Sequence, residues 1–279
     1  MITVELAKLF KRPRMYVIVA LLCLLPFIVA IFLATTRIPP PPGQGGAFLS
    51  AVLSNGALYP AAALALVLPV FLPVAVAVLA GDSIAGEATG GTLRYLLIRP
   101  VGRTRLLVAK LIAQVAFVLF AIAAVVVTSY LTGVLMLGTG ESTTGGVVLL
   151  PPDVTSLSGD LISPGELALR LLGTIGYITI SMLGVAAIAL FLSTLTDSAL
   201  GAAMGALATL VTSQVLVTLD AAESVKPYLP TRYWLAWIDF FRDPILWRDI
   251  ERGAGLQFVY VAVLLGAAWA NFKTKDIGS

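Results

Sequence analysis

Charged side chains are scarce in this chain, and where they gather limits the chemistry open to it. The densest gathering is residues 81–110, GDSIAGEATGGTLRYLLIRPVGRTRLLVAK, with Arg94, Arg99, Arg103, Arg105 and Lys110 set against only Asp82 and Glu87. Such a basic, glycine-rich stretch suits contact with anionic headgroups or with another polypeptide. Elsewhere the chemistry is subtractive. The chain has no histidine. That removes the usual zinc sites, histidine-ligated haem and histidine acid–base catalysis. No glycine is followed by lysine, so there is no phosphate-cradling P-loop and the chain is not expected to hydrolyse ATP. No pair of carboxylates falls within an apolar run. Catalytic residues, a metal site and a cofactor are accordingly all expected to be absent from this chain, and it is not read as an enzyme.

The composition explains the scarcity. Of 279 residues, 59% are hydrophobic and 12% charged, and the mean hydropathy is +0.98. A soluble domain carries about twice that share of charge, roughly 25%, so an integral membrane protein is expected. The net charge of +3 is too small to suggest nucleic acid. Cys23 is the sole cysteine, so no disulfide forms within the chain.

The elements that must position the charges are six apolar runs, at 15–36, 58–80, 106–137, 166–192, 199–219 and 255–272. Each is near the roughly 20 residues that a helix needs to cross a bilayer. Residues 1–14, with Val4, Leu6, Leu9 and Phe10 among Glu5, Lys8, Lys11, Arg12 and Arg14, read as an amphipathic elbow helix at the membrane surface. Within the basic stretch, Ile84, Leu93, Leu96 and Leu97 share one helical face before Pro100 stops the pattern.

Lysines and arginines set the orientation. They concentrate in the first 14 residues, in 81–105 and at Lys273 and Lys275, while 138–164 has none. The positive-inside rule then places both termini and the 81–105 loop in the cytoplasm of a cell-membrane, multi-pass protein. Segments 138–165 and 220–254 fall outside. The second holds Trp234, Trp237 and Phe240 among charges. These aromatics predict short re-entrant helices in the outer leaflet. An interfacial belt explains them as well as a substrate contact does.

Few polar residues lie within the runs. Glu166 and Arg170, spaced i, i+4, read as a snorkelling pair near an interface. Gln114, Thr212 and Gln214 are weak candidates for lining a substrate path, although interhelical hydrogen bonding is the commoner use of glutamine there. Asp197 and Ser198 are placed to cap the fifth helix from the short turn 193–198, a second cytoplasmic surface.

Glu87, then Gly91, Thr92, Leu93 and Arg94, then Leu96, Leu97, Pro100, Val101, Arg103, Ala109 and Lys110, together resemble the loop between the second and third spans of ABC-2 type permeases. These are the transmembrane subunits of ABC exporters. The likeness extends to the basic amphipathic N-terminus, the six spans and the elaborated segment before the last. It implies an all-α membrane protein forming one permease domain over 1–279, with a coupling helix that docks on a separate ATP-binding subunit. It implies two permease copies with two ATPases, and ATP and Mg bound by the partner. On this reading Glu87, Gly91, Thr92, Leu93, Arg94, Arg99 and, from the second cytoplasmic turn, Asp197 couple to the ATPase, with Glu87 and Arg94 facing it. The long 138–164 loop departs from many members. The alternative is a non-transporting sensor or signal-transducing subunit coupled to an ATPase. An intramembrane protease is disfavoured by the missing nucleophile set.

Overall fold

The computed structural model describes residues 2–36, 55–89, 103–138 and 154–274. Helix α1, Ile2–Lys11, buries Glu5 against the bundle, leaves Ile2, Val4 and Phe10 exposed, and carries Lys8 and Lys11 in its last turn, where they complement the helix dipole. Pro13 opens α2, Pro13–Thr36, at the one helical position that needs no N–H. Its 24 residues reach about 36 Å, enough to cross hydrocarbon. A single 3-10 turn, Gly56–Leu58, is capped by the Asn55 side chain, which accepts from the Ala57 N–H at 3.0 Å. It leads into α3, Tyr59–Val67, and then α4, Phe71–Thr89. These two helices meet at 57°. Pro69 and Pro73 each remove a backbone donor there, which breaks the helical ladder.

Helix α5, Arg103–Leu137, has 35 residues, about 52 Å, so it projects past the membrane core. Strands β1, Val154–Thr155, and β2, Leu161–Ile162, form a minimal antiparallel ladder. Helix α6, Pro164–Leu195, starts at a Ser163 cap, and α7, Ala199–Thr218, at a Ser198 cap. Three 3-10 turns, Asp220–Ala222, Lys226–Tyr228 and Ala236–Phe241, precede α8, Trp247–Thr274.

The bundle is organised around α6, which packs on α4, α5, α7 and α8, while α2 and α3 pack on α5. Two-thirds of the apolar window of α6 is buried (67%), against 17% for α8. The outer helices show apolar residues such as Leu21, Phe27 and Phe32 of α2 on their outward faces, the pattern of helices solvated by lipid. Small residues let backbones meet. A β-carbon on Gly133 of α5 would lie 2.3 Å from the Gly56 carbonyl oxygen, and one on Gly81 of α4 would lie 2.8 Å from the Ala203 nitrogen of α7.

Five helices are long and apolar enough to cross a membrane, α2, α5, α6, α7 and α8, and the bent α3–α4 pair meets the same criterion jointly. A mostly helical membrane protein is therefore what the described residues form, with the short β1–β2 ladder as an addition. The expected boundaries shift. Helix α4 runs on to Thr89, through residues expected to start a loop at 81. Helix α8 begins at Trp247, inside the segment assigned to 220–254. The helices outlast their apolar runs because backbone hydrogen bonding continues where hydropathy stops.

Gly133→Ala should lower the thermal unfolding midpoint of the protein in detergent. Opening the α3–α5 contact should cost about 1–3 kcal/mol. An unchanged midpoint would show that this contact yields freely.

Candidate functional site

One end of the bundle gathers α1, the end of α4, the start of α5, the α6–α7 turn and the end of α8. Side chains tie them together. Trp269 Nε1 of α8 donates to Thr104 Oγ1 of α5 at 2.8 Å, and Asn271 Nδ2 of α8 donates to the Thr194 carbonyl of α6 at 3.0 Å. The Ser193 hydroxyl of α6 donates to the Gly81 carbonyl at 2.7 Å and accepts from the Ala85 N–H at 2.9 Å. It thus lies against the backbone of α4 just before Glu87.

The centre of this end is ionic. Glu5 and Lys8 share one face of α1 at i, i+3 spacing. Lys110 of α5, only 2% exposed, places its ammonium 2.9 Å from Glu87 Oε2 and 3.6 Å from Glu5 Oε2, and donates to the Ser83 carbonyl at 2.5 Å. Lys8 lies 3.1 Å from Glu87 Oε1 and 3.3 Å from Glu5 Oε1. Two carboxylates and two ammonium groups therefore alternate. Beside them, Arg12 reaches Asp82 Oδ2 at 3.2 Å, and Arg14 bonds the same oxygen. A cavity of about 50 Å³ lies among Glu5, Asp82, Glu87, Lys110 and Gln114. Its size suits one or two waters. The Gln114 Oε1 atom is buried there with no donor among the described residues.

Burying a lone charge costs several kcal/mol, which a partner at hydrogen-bond distance offsets. That cost explains why α1 is held in place. Partial burial acts to lower the Lys8 pKa, but the Glu87 hydrogen bond and charge, followed by those of Glu5, outweigh it, and the net shift is upward from 10.5. Lys8 thus stays charged at neutral pH. Its contribution to stability is whole below pH 10.5 and is lost as pH rises through the higher folded value.

The expectation that Glu87 faces a partner is corrected by this geometry. Its carboxylate is turned inward and is 8% exposed. Glu87 stands two residues before the end of α4, and Lys110 seven residues past the start of α5. Their pair clamps both flanks of residues 90–102 to each other and to α1. Gly91, Thr92, Leu93, Arg94 and Arg99, and with them the expected coupling helix, lie outside the described residues. Asp197 is exposed in the α6–α7 turn at the same end, and the next residue, Ser198, is the N-cap of α7, its side chain accepting from the Gly201 N–H.

The path candidates are not brought together. Thr212 and Gln214 are exposed on α7. Gln214 lines a groove of about 180 Å³ with Pro69, Pro73, Val74 and Trp234. Gln114 lies instead in the ionic cavity.

At the opposite end the aromatic segment folds into short 3-10 turns that form a packed cap on the bundle. Trp237 is wholly buried, and Trp234 and Phe240 are buried with it. Trp237 meets Phe241 edge to face, with ring centroids 6.1 Å apart. Side chains from two helices reach the carbonyls of this cap, and one from a third meets a hydroxyl. Arg170 of α6 donates to those of Phe240 and Arg242, both at 3.0 Å. Tyr177 of α6 donates to that of Tyr233 at 2.6 Å. From α8, Gln257 donates to Pro230 at 2.6 Å and Tyr260 to Tyr228 at 2.8 Å. Ser213 of α7 bonds the Thr231 hydroxyl at 2.7 Å. Arg170 is therefore no snorkelling residue. It is 5% exposed, and Glu166 and the cap share its guanidinium.

Sequence reasoning passed over Glu5, Lys8 and Lys110 as a set. The available signal was Lys110 itself, a cation inside an apolar run, which demands a partner.

These features define a mostly helical, membrane-embedded protein whose two ends are closed by buried polar contacts. The chain belongs to the family described as protein of unknown function (DUF2705), whose model matches residues 27–277. The match takes in Asp82, Glu87, Lys110 and Arg170 and begins within α2. No curated protein matches the chain.

Lys110→Met should destabilise the protein by about 3–5 kcal/mol, because Glu5 and Glu87 lose their most buried counter-charge. Denaturant titration in mixed micelles measures this, and adding Glu87→Gln should recover part of the loss. Loss without recovery would show that packing of the lysine stem, rather than charge, matters. A second test reads the cap. With Trp247 and Trp269 replaced by Phe, the remaining fluorescence from Trp234 and Trp237 should resist lipid-borne quenchers. Strong quenching would place those rings in lipid.

Proposed function

We propose that this chain is the membrane-spanning permease subunit of an ATP-driven exporter, moved by a separate ATP-binding subunit. What carries the reading is the ionic clamp on both flanks of the basic segment 90–102. A push applied there reaches α4 through Glu87, α5 through Lys110 and α1 through Glu5 and Lys8. An element that receives force must be tied to several spans at once, and this one is. In this reading α3 and α4 are one broken span, which makes six, and the clamped end faces the cytoplasm with both termini. Helix α1 is the elbow helix at the membrane surface. Gly91, Thr92, Leu93, Arg94 and Arg99 meet the ATPase, Asp197 offers a second contact, and Glu87 positions the first.

ATP and Mg belong to the partner, since the chain has no P-loop. Two permease copies enclose the path, and the two states differ by rocking of the spans. Thr212 and Gln214 of α7, beside the broken span, border it. The cap of 219–246 closes the outer end.

The experiment is purification of the tagged chain from its native membrane, followed by reconstitution in liposomes. A P-loop ATPase should accompany it. Arg94→Ala should return ATP turnover to that of the free ATPase without changing the permease's thermal stability. Absence of any nucleotide-hydrolysing companion would overturn the reading. A stable complex that hydrolyses ATP yet moves no solute across sealed vesicles would favour the sensor reading instead.

A further inference from the structure

The outward face of α1 carries an excess of positive charge. Around this helix five cations, Lys8, Lys11, Arg12, Arg14 and Lys110, meet three carboxylates, Glu5, Asp82 and Glu87, so two positive charges are left over. Both arginines share one oxygen of Asp82 and remain nearly half exposed, 43% for Arg12 and 48% for Arg14. Lys11 is exposed and makes no ion pair among the described residues. Thr3, Val4, Ala7, Lys8, Lys11 and Arg12 follow each other at helical spacing and line an open groove of about 490 Å³.

The surroundings fix the height of this groove. One residue after α1, Pro13 starts α2, whose Val17, Leu21 and Leu24 are exposed and apolar. Tyr16 and Trp269, half exposed and 40% exposed, sit at this end with their polar tips bonded, Tyr16 to the Phe10 carbonyl at 2.9 Å. Exposed aromatics with satisfied polar ends mark the membrane–water interface. Helix α1 adds exposed Ile2, Val4 and Phe10 beside its basic groups. A surface that mixes these two kinds of side chain, continuous with a lipid-facing helix, suits a phospholipid better than a protein.

We propose that the outer face of α1 binds the headgroup of an anionic phospholipid, its phosphate held by Lys11 and Arg12 and its first methylenes lying on Val4 and Ala7. Lys8 and Arg12 then stand between two sets of anions, the lipid outside and Glu87 and Asp82 inside. The site needs no ATPase and is independent of the exporter reading.

The full-length protein in mild detergent is titrated with phosphatidylglycerol and, separately, phosphatidylcholine, with bound lipid counted by native mass spectrometry. Phosphatidylglycerol should be preferred. Lys11→Ala should weaken it about fivefold, the worth of one basic residue near a charged surface, and Lys11→Glu more. Lys11→Arg should keep the preference. None of these changes should alter thermal stability, because Lys11 takes no part in the internal pairs. Equal binding of both lipids, or a preference untouched by Lys11→Glu, overturns the site. So does a Lys11→Glu variant that keeps its lipid but sheds a co-purifying protein.

Discussion

A charge buried inside a helical bundle must be answered at once, because the medium around it offers neither water nor mobile ions. Lys110 is the clearest case here. It lies within an otherwise apolar helix, almost wholly covered, and its answer comes from three directions: Glu87 and the Ser83 carbonyl of α4, and Glu5 of α1. That one requirement recruits the N-terminal helix and sets the relation between α4 and α5.

The same logic recurs at the far end. Arg170 is buried on α6, and its guanidinium reaches the Phe240 and Arg242 carbonyls. A planar fork can satisfy several oxygens together, which a lysine cannot. In both places a cation projecting from a long helix captures a segment that has no membrane span of its own. The bundle between these two points is held by close packing, with α6 at its centre and glycines where backbones approach. The ends are polar and specific, and the middle is apolar and closely packed.

That division has two further features along α4. The proline break between α3 and α4 removes backbone hydrogen bonds at one level of the membrane. The Ser193 hydroxyl meets the α4 backbone at another, near residues 81–85. Side chains that join a helix backbone in this way are sites where helices bend. Helix α4 therefore runs unbroken from the proline break, past the Ser193 contact, to the ionic clamp.

The membrane class was legible because it rests on hydropathy and length, which are local sums over the chain; of the six apolar runs, five hold a helix long enough to span and the run at 58–80 holds the bent α3–α4 pair. The basic segment was legible as charge density. Glu87 was also singled out, yet its surroundings were misjudged, since nothing near it in the chain reveals Glu5 or Lys8, about 80 residues earlier. Trp234, Trp237 and Phe240 were read as lipid-facing because aromatics favour interfaces. Tertiary packing turned them inward beneath carbonyls held by Arg170 and Tyr177. The amino-acid order alone thus determined which segments leave water and where charge collects along the chain. Which charges meet, and which rings are covered, was decided by how the helices associate, because a counter-ion or a packing partner is found across space and leaves no periodicity in the residues that need it.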